Sequence, residues 1–127
     1  MTSTPPRGTL ALQTVAMPAD TNANGDIFGG WLVSHMDMAA GIAGRNYARS
    51  RCVTVAIDKL VFHTPVYVGD TVSCYAELLK VGRTSMQFLI EVWTLSFQKN
   101  EPVKAAEGIF TFVAINEDRK PQPVVRT

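Results

Sequence analysis

The sequence contains few cysteines, little excess charge and no long hydrophobic run, and each shortage excludes a class of protein. Cys52 and Cys74 belong to no close Cys/His cluster with metal-ligand spacing, so we expect two buried thiols in a reducing cytosol and no metal site. The formal net charge of +1 offers no strong field to attract nucleic acid. No stretch approaches the roughly 20 apolar residues of a membrane span, and residues 1–7 lack the apolar run of a secretory signal. We therefore expect a cytoplasmic protein that binds neither nucleic acid nor a membrane.

The composition is that of one globular domain. A length of 127 residues is typical of a single domain, and a hydrophobic share of 46% places the chain far from the disordered class. We assign residues 1–127 to one domain, in which the polar lead at 1–7 and the charged tail at 117–127 are expected to be mobile ends. The slight apolar excess leaves surface that the subunits of an assembly would bury.

The spacing of the apolar residues changes once along the chain. From residue 28 to about 48, residues such as Leu32, Met36 and Ala40 recur at intervals of three and four, which predicts a helix. Runs rich in β-branched and aromatic residues predict strands. These runs are residues 9–16, 52–62, 71–81, 85–97 and 103–115. The short breaks after residue 81 and after residue 97 favour antiparallel hairpins, because a parallel crossover needs a dozen or more residues.

The order strand, helix and four strands predicts an α+β domain. One long helix covers only one face of a sheet, so the sheet is expected to be antiparallel and curved around a central helix. The sheet edges and the other face then have to be buried or kept polar. Pairing with a second copy of the chain is an economical solution.

The clearest chemical signal is a small polar loop that runs into the helix, residues 17–41 (MPADTNANGDIFGGWLVSHMDMAAG). Gly29 and Gly30 let the backbone turn sharply and let a ligand approach closely. The first N–H groups of a helix have no partner within the helix, and together with the macrodipole they favour a negative charge. Such a helix start can serve as an oxyanion hole for a carbonyl that becomes tetrahedral.

One face of this helix carries a single carboxylate among small residues. The face consists of Gly30, Ser34, Asp37, Gly41 and Gly44, at spacings of four, three, four and three. An aspartate is unfavourable inside a helix. Asp37 is therefore either a hydrogen-bonded residue in a groove for helix packing or a catalytic group, and the loop that precedes the helix favours catalysis.

The distance between Gly30 and Asp37 suggests that two chains share each site. Seven residues of helix span roughly 10 Å at 1.5 Å per residue, whereas one reacting carbonyl needs its donors and its base within hydrogen-bond range. Two antiparallel helices lying side by side satisfy both requirements, because Gly30 of one helix faces Asp37 of the other. We therefore expect two shared sites in a two-fold dimer.

Several segments of the sequence resemble the YciA-type acyl-CoA thioesterases, which are hotdog-fold enzymes. The most specific is NANGDIFGGW at residues 22–31 with Met36-Asp37 after it, and weaker matches follow at 62–70 (FHTPVYVGD), 80–85 (KVGRTS) and 110–114 (FTFVA). Together they cover roughly residues 9–116. The resemblance implies a hotdog fold, in which a long central helix is wrapped by a curved antiparallel sheet.

The resemblance also implies an activity and the residues that carry it. It implies hydrolysis of the thioester of acyl-CoA to CoA and a free acid, with Asp37 as general base or as nucleophile. Asn22 would orient water or substrate from the opposite subunit, and the Gly30 amide would polarise the thioester carbonyl. Family members form dimers, often assembled as a trimer of dimers. No cofactor is implied, since CoA is part of the substrate and product.

A turn between two strands is the implied contact for CoA. It consists of Gly82, Arg83, Thr84 and Ser85. Arg83 is a natural partner for a phosphate group. It is nearly as well interpreted as an ordinary exposed charge on a hairpin.

Two alternative functions stay open beside hydrolysis. A hotdog hydratase acting on acyl thioesters would pair a catalytic histidine with an acid, but neither His35 nor His63 lies in the glycine loop. A non-catalytic acyl-CoA-binding or regulatory domain would keep Arg83 and the glycines without needing Asp37. Ser34 lies on the Asp37 face, but no Gly-x-Ser-x-Gly elbow surrounds it, so a serine nucleophile is disfavoured.

Overall fold

The computed structural model describes residues 5–124 and contains one long helix and five strands. In chain order they are β1 (Thr9–Val15), α1 (Gly29–Ala48), β2 (Arg51–Phe62), β3 (Thr71–Val81), β4 (Ser85–Leu95) and β5 (Val103–Ile115), with a 3-10 turn at Pro18–Asp20. All five predicted strands and the helix are present. The strand predicted for 85–97 ends two residues early, because a turn closed by the Lys99 N–H and the Ser96 carbonyl (3.1 Å) follows it.

The strands form one antiparallel sheet in the order β1-β3-β4-β5-β2. The chain places β2 at one edge, beside β5, although β2 comes directly after the helix. Helix α1 packs on one face and contacts all five strands. This arrangement confirms the predicted α+β architecture, a long helix wrapped by a curved antiparallel sheet. Within residues 5–124, no helix combines the length and hydropathy that crossing a membrane requires.

The core lies between α1 and the inner face of the sheet. Met36, Ala39 and Ala40 are fully buried on the helix, and they pack with the alternating inward side chains of the central strands. Along β4 these are Met86, Phe88, Ile90 and Val92. The apolar side chains that recur every second residue along the strand and every third or fourth residue along the helix therefore form one apolar layer.

The small-residue face of the helix is buried toward one end and open toward the other. Gly41 and Gly44 are buried, and a side-chain methyl group at Gly44 would touch Cys52, Phe88 and Met86 at 3.7–3.8 Å. Gly30 and Ser34 are exposed, and Asp37 is half-buried. The reason is that the sheet curves over the C-terminal half of this face and leaves the N-terminal half open.

The described parts of both chain ends are attached to the sheet. The Arg7 main-chain N–H donates to Glu91 Oε1 (3.1 Å), the Gln122 N–H donates to the Ala114 carbonyl (2.9 Å), and buried Val124 donates to the Arg83 carbonyl (2.9 Å). The mobility expected of the ends at 1–7 and 117–127 stays a prediction. Residues 1–4 and 125–127, which the same prediction covered, lie outside the described residues.

Candidate active site

Asn22 is held in a tight loop that leaves its amide nitrogen available. Thr21 and Ile27 form an isolated antiparallel bridge, and between them the Asn22 Oδ1 accepts hydrogen bonds from the N–H groups of Asn24 (2.8 Å) and Asp26 (3.2 Å). Gly25 has a φ of 84°, a conformation that glycine adopts without strain. The Asn22 Nδ2 has no hydrogen-bond partner among residues 5–124, so it can donate to a ligand.

The start of α1 presents unpaired backbone N–H groups. Phe28 precedes the helix without a side-chain cap, and its carbonyl accepts from the Trp31 N–H (3.1 Å). In the part of the chain that the structure describes, the N–H groups of Gly29 and Gly30 have no acceptor. Both glycines are exposed. The helix start therefore has free donors, aided by the macrodipole, that can bind a developing negative charge.

Asp37 lies two turns further along the helix and is oriented by a threonine on the edge strand. Its Oδ1 accepts a hydrogen bond from Thr54 Oγ1 at 2.6 Å. No other hydrogen bond or ion pair to this carboxylate is present between residues 5 and 124, so Oδ2 can accept a proton from a ligand. Thr54 was not among the residues predicted from the sequence, because the pairing of residues 17 positions apart depends on where β2 lies against α1.

The other nucleophilic or basic side chains near the helix are engaged elsewhere. Ser34 Oγ donates to the Trp31 carbonyl (2.9 Å), and His35 Nδ1 lies 2.9 Å from the same oxygen while its ring packs against the Trp31 ring. His63 Nε2 lies 3.0 Å from Glu107 Oε2. The Ser34 hydroxyl is thus engaged with the helix backbone, whereas His63 is paired with a carboxylate.

A cavity of about 390 Å³ opens beside the helix start. Asn22 and Gly29 line it from the loop side, and Phe62 and His63 line it from the end of β2. Asp37 is not part of its wall. The structure thus brings Asn22 and the helix start together within one chain, but it does not bring Asp37 to them.

The Gly82–Ser85 turn joins β3 to β4 at one end of the sheet. The Gly82 N–H donates to the Ser85 carbonyl (2.8 Å), and the Thr84 carbonyl accepts from Ala114 (2.9 Å). The sheet register then aligns Met86 of β4, Phe112 of β5 and Thr54 of β2. Two strand spacings, about 10 Å, separate Met86 from Thr54. The exposed Arg83 forms no ion pair with any residue from 5 to 124.

The predicted site residues of one chain therefore lie in two groups. We name them the carboxylate half, which is Asp37 with Thr54, and the loop half, which is Asn22, Gly29 and Gly30. Along α1, Gly30 and Asp37 are seven residues or roughly 10 Å apart. Among the described residues, no three His, Cys, Asp or Glu side chains are grouped so that they could hold a metal ion.

Comparisons with known proteins agree on one family. A family model described as the thioesterase superfamily matches residues 24–97. The acyl-CoA thioester hydrolase YciA of Salmonella typhimurium is 50% identical over 123 residues, which cover 94% of this chain and 92% of that protein.

Two solved structures show the same fold at high similarity. One is a hexameric broad-specificity acyl-coenzyme A thioesterase, crystallised as a variant with an aspartate replaced by alanine. It is 44% identical in sequence to this chain, with a TM-score of 0.91, and the match covers 94% of this chain and 88% of that one. A hexameric hotdog-fold thioesterase of Campylobacter jejuni is 39% identical in sequence to this chain, with a TM-score of 0.87. The match covers 93% of this chain and 91% of that one.

Proposed function

The chain belongs to the thioesterase superfamily and, within it, to the YciA-type acyl-CoA thioester hydrolases, and on that premise we propose which of its residues hydrolyse acyl-CoA. The products are free CoA and a carboxylic acid. The observation that carries the proposal is the Asp37 carboxylate, which is held by Thr54 through one oxygen and keeps the other free. The Salmonella relative, an acyl-CoA thioester hydrolase, supports the same reaction.

The chemistry follows from the atoms that each half-site presents. As a general base, Asp37 Oδ2 takes a proton from water while the water oxygen bonds to the thioester carbon. The carbonyl oxygen becomes negative and is stabilised by the Gly30 N–H at the helix start. The C–S bond then breaks, and the CoA sulfur leaves with the proton returned by Asp37. If Asp37 attacks directly, the same donors stabilise the corresponding oxyanion, and the C–S bond breaks with release of the CoA thiolate to leave an anhydride of Asp37. Water then hydrolyses this anhydride to the free acid and the Asp37 carboxylate, and the proton released protonates the CoA sulfur. Asn22 orients the water or the substrate through its free Nδ2.

The two half-sites combine when two copies of the chain pair. Strand β2 is an edge strand, and it exposes Val55, Ile57, Val61 and Phe62. Such an edge is a ready surface for a second chain. Antiparallel pairing of two β2 edges brings the Phe62 end of one protomer to the Thr54 end of its partner. The loop half of one protomer then faces the carboxylate half of the other, so a dimer contains two shared sites.

The Gly82–Ser85 turn is the proposed contact for CoA. It lies at the end of β4, whose Met86 is aligned through Phe112 with Thr54. The Arg83 guanidinium, which has no ion pair within residues 5–124, suits a phosphate group. CoA arrives as part of the substrate, and no other cofactor is required. The two similar structures are described as hexameric, and we extend this to the present chain as a trimer of dimers.

The alternatives make different demands on the same residues. A hydratase needs a catalytic histidine paired with an acid. His63 forms such a pair with Glu107 beside the cavity, whereas His35 contacts only Trp31. A non-catalytic acyl-CoA-binding domain needs no free carboxylate oxygen at Asp37. The His63–Glu107 pair is a contact that suits a hydratase, whereas the free oxygen of Asp37 suits hydrolysis.

Release of CoA thiol from a panel of acyl-CoAs tests the activity and the role of Asp37. Wild type is expected to release thiol, and Asp37→Asn, which keeps the size of the side chain, is expected to lose activity by at least about a hundredfold. A folded wild type that hydrolyses no acyl-CoA would leave only the binding function. An Asp37→Asn variant with wild-type activity would remove Asp37 from the reaction.

Mixed dimers test whether the site is shared. Asn22→Ala and Asp37→Asn are unfolded together and refolded, so that half of the dimers contain one copy of each. Each mixed dimer has one site with both defects and one intact site, so about a quarter of wild-type activity should return. The control mixes Asp37→Asn with Asp37→Ala, which can restore no site. Equal activity in both mixtures would show that each chain works alone.

A further inference from the structure

The end of β2 carries a histidine–carboxylate pair that the proposed hydrolysis does not use. His63 Nε2 lies 3.0 Å from Glu107 Oε2, and the His63 main-chain N–H donates to the Ala105 carbonyl (2.7 Å), which fixes the backbone of His63. The other ring nitrogen, Nδ1, has no hydrogen-bond partner among residues 5–124. A histidine with one nitrogen held by a carboxylate can accept a proton at the other, and the carboxylate stabilises the cation that forms.

Glu107 is itself held in its charged form by a lysine. Lys104 Nζ lies 2.7 Å from Glu107 Oε1 and 3.3 Å from Oε2 of the buried Glu91. The hydrogen bond from Lys104 is the main cause of a lowered pKa of the Glu107 carboxyl, and the hydrogen bond from His63 lowers it further, although partial burial opposes both. Glu91 is anchored in turn, because its Oε1 accepts from Trp93 Nε1 (2.9 Å). The carboxylate that orients His63 is therefore ionised and fixed in place.

His63 lines the same cavity as the free donors of the loop half. The cavity, of about 390 Å³, is bordered by His63 at the end of β2 and by Asn22 and Gly29 on the loop side. Its volume lies within the range of about 300 to 1,000 Å³ that is usual for small-molecule sites. A base and the donors for a developing negative charge thus border one space, and all of them belong to one chain.

We propose that the protein has a second activity, the hydration of α,β-unsaturated acyl-CoA thioesters, with His63 as the catalytic base. The inference goes beyond the proposed hydrolysis and shares with it only the loop half of the site. An enoyl group differs from a saturated acyl group because its β-carbon also accepts water, since the conjugated carbonyl draws electrons from the double bond. Asp37 does not line the cavity, so hydrolysis and hydration depend on different bases.

The reaction adds one water across the double bond and leaves the thioester intact. His63 Nδ1 takes a proton from water while the water oxygen bonds to the β-carbon. The electron pair of the double bond moves toward the carbonyl and forms an enolate, whose oxygen is stabilised by the Gly29 N–H. The proton on His63 is then transferred to the α-carbon, the carbonyl re-forms, and the product is a β-hydroxyacyl-CoA. Water is the only co-reactant.

The test follows crotonyl-CoA by mass spectrometry in the Asp37→Asn variant, in which hydrolysis is suppressed. This variant is expected to form a product that is heavier by one water and keeps its C–S bond. Adding His63→Gln, which keeps a donor for Glu107, should lower the hydration rate by at least about a hundredfold, as for the loss of a general base. Adding His35→Gln is the matched control and should keep the rate, because His35 packs against Trp31 and does not line the cavity.

Glu107→Gln, again combined with Asp37→Asn, tests the positioning role of the carboxylate. The kcat for hydration should fall by about tenfold or more, as for the loss of a hydrogen bond to a charged group. KM should stay the same, because Glu107 acts through His63 and does not touch the substrate. Rates are expressed per folded protein, from urea unfolding of each variant. A change in KM with an unaltered kcat would contradict the positioning role.

The outcomes separate this inference from the proposed function. Hydration by Asp37→Asn that is lost with His63→Gln and kept with His35→Gln supports the second activity. A folded Asp37→Asn variant that hydrates no crotonyl-CoA overturns it, and so does a hydration rate that His63→Gln leaves unchanged or that His35→Gln lowers equally. Thiol release by the wild type from saturated acyl-CoAs is a separate measurement, and its absence refutes the proposed hydrolysis alone.

Discussion

Replacing Thr54 by valine removes one hydroxyl beside the proposed catalytic carboxylate and changes little else. Thr54 Oγ1 donates to Asp37 Oδ1 at 2.6 Å, and valine has nearly the same shape without the donor. Thr54 is exposed on edge strand β2, so the substitution opens no cavity in the core. If the hydrogen bond holds Asp37 in its reactive orientation, its loss lowers the rate of the chemical step.

The size of the effect follows from the type of bond. A hydrogen bond to a charged group contributes about 1.5–3 kcal/mol, which corresponds to roughly a 10- to 150-fold fall in kcat if the contribution is fully expressed in the transition state. KM should change little, because Thr54 acts through Asp37. The assay is steady-state thiol release from one short acyl-CoA, with urea unfolding of each variant measured alongside.

Thr54→Ser is the control for this prediction. Serine keeps the hydroxyl, so kcat should return to within a few-fold of the wild type. A Thr54→Val variant with wild-type kcat would refute the positioning role of Thr54. Equal losses in Thr54→Val and Thr54→Ser would show that the hydrogen bond is not the cause.

Two further predictions concern stability. Gly44→Ala should raise the free energy of unfolding by about 1 kcal/mol, seen as a higher urea midpoint, because alanine favours the helix and its methyl group would meet its neighbours at ordinary contact distances. Gly8→Ala should instead lower the urea midpoint. Gly8 has a φ of 88°, and the methyl group of alanine would collide with the Ala76 carbonyl. An unchanged midpoint in both would contradict the packing described for these glycines. Burial raises the pKa of the Cys74 thiol from 9.0 to about 12, so the stability that the neutral thiol contributes is fully present below pH 9 and is lost as the pH rises toward 12. The wild-type urea midpoint should fall more steeply above pH 9 than that of Cys74→Ala, and parallel slopes would contradict this.

Much of the fold could be predicted because its signals are local. The helical spacing of Leu32, Met36 and Ala40 and the β-branched runs of the later strands depend only on neighbouring residues, and each predicted element is present. The short breaks between strands limited the sheet to antiparallel pairing. The family resemblance, carried mainly by residues 22–31 and Asp37, is confirmed by the matching family model and the close relatives.

The candidate site was predictable as a set of residues but not as an arrangement. The polar loop, the glycines and Asp37 were evident because an aspartate on a small-residue helix face is unusual. Thr54 was not evident, because a threonine in a strand is ordinary and only its position beside Asp37 gives it a role. The roles of Asn22, Gly30 and the Gly82–Ser85 turn stay predictions.

The sequence by itself determined the order of the elements, the polar loop before the helix and the presence of one carboxylate on the helix. These depend on periodicity and turn chemistry, which act over a few residues. Only the tertiary structure decided that β2 is an edge strand, that Thr54 contacts Asp37, and that the sheet buries Gly41 and Gly44 while leaving Gly30 open. The physical reason is that strand order and register are set by contacts between residues far apart in the chain, and no local pattern encodes which distant residue a side chain will meet.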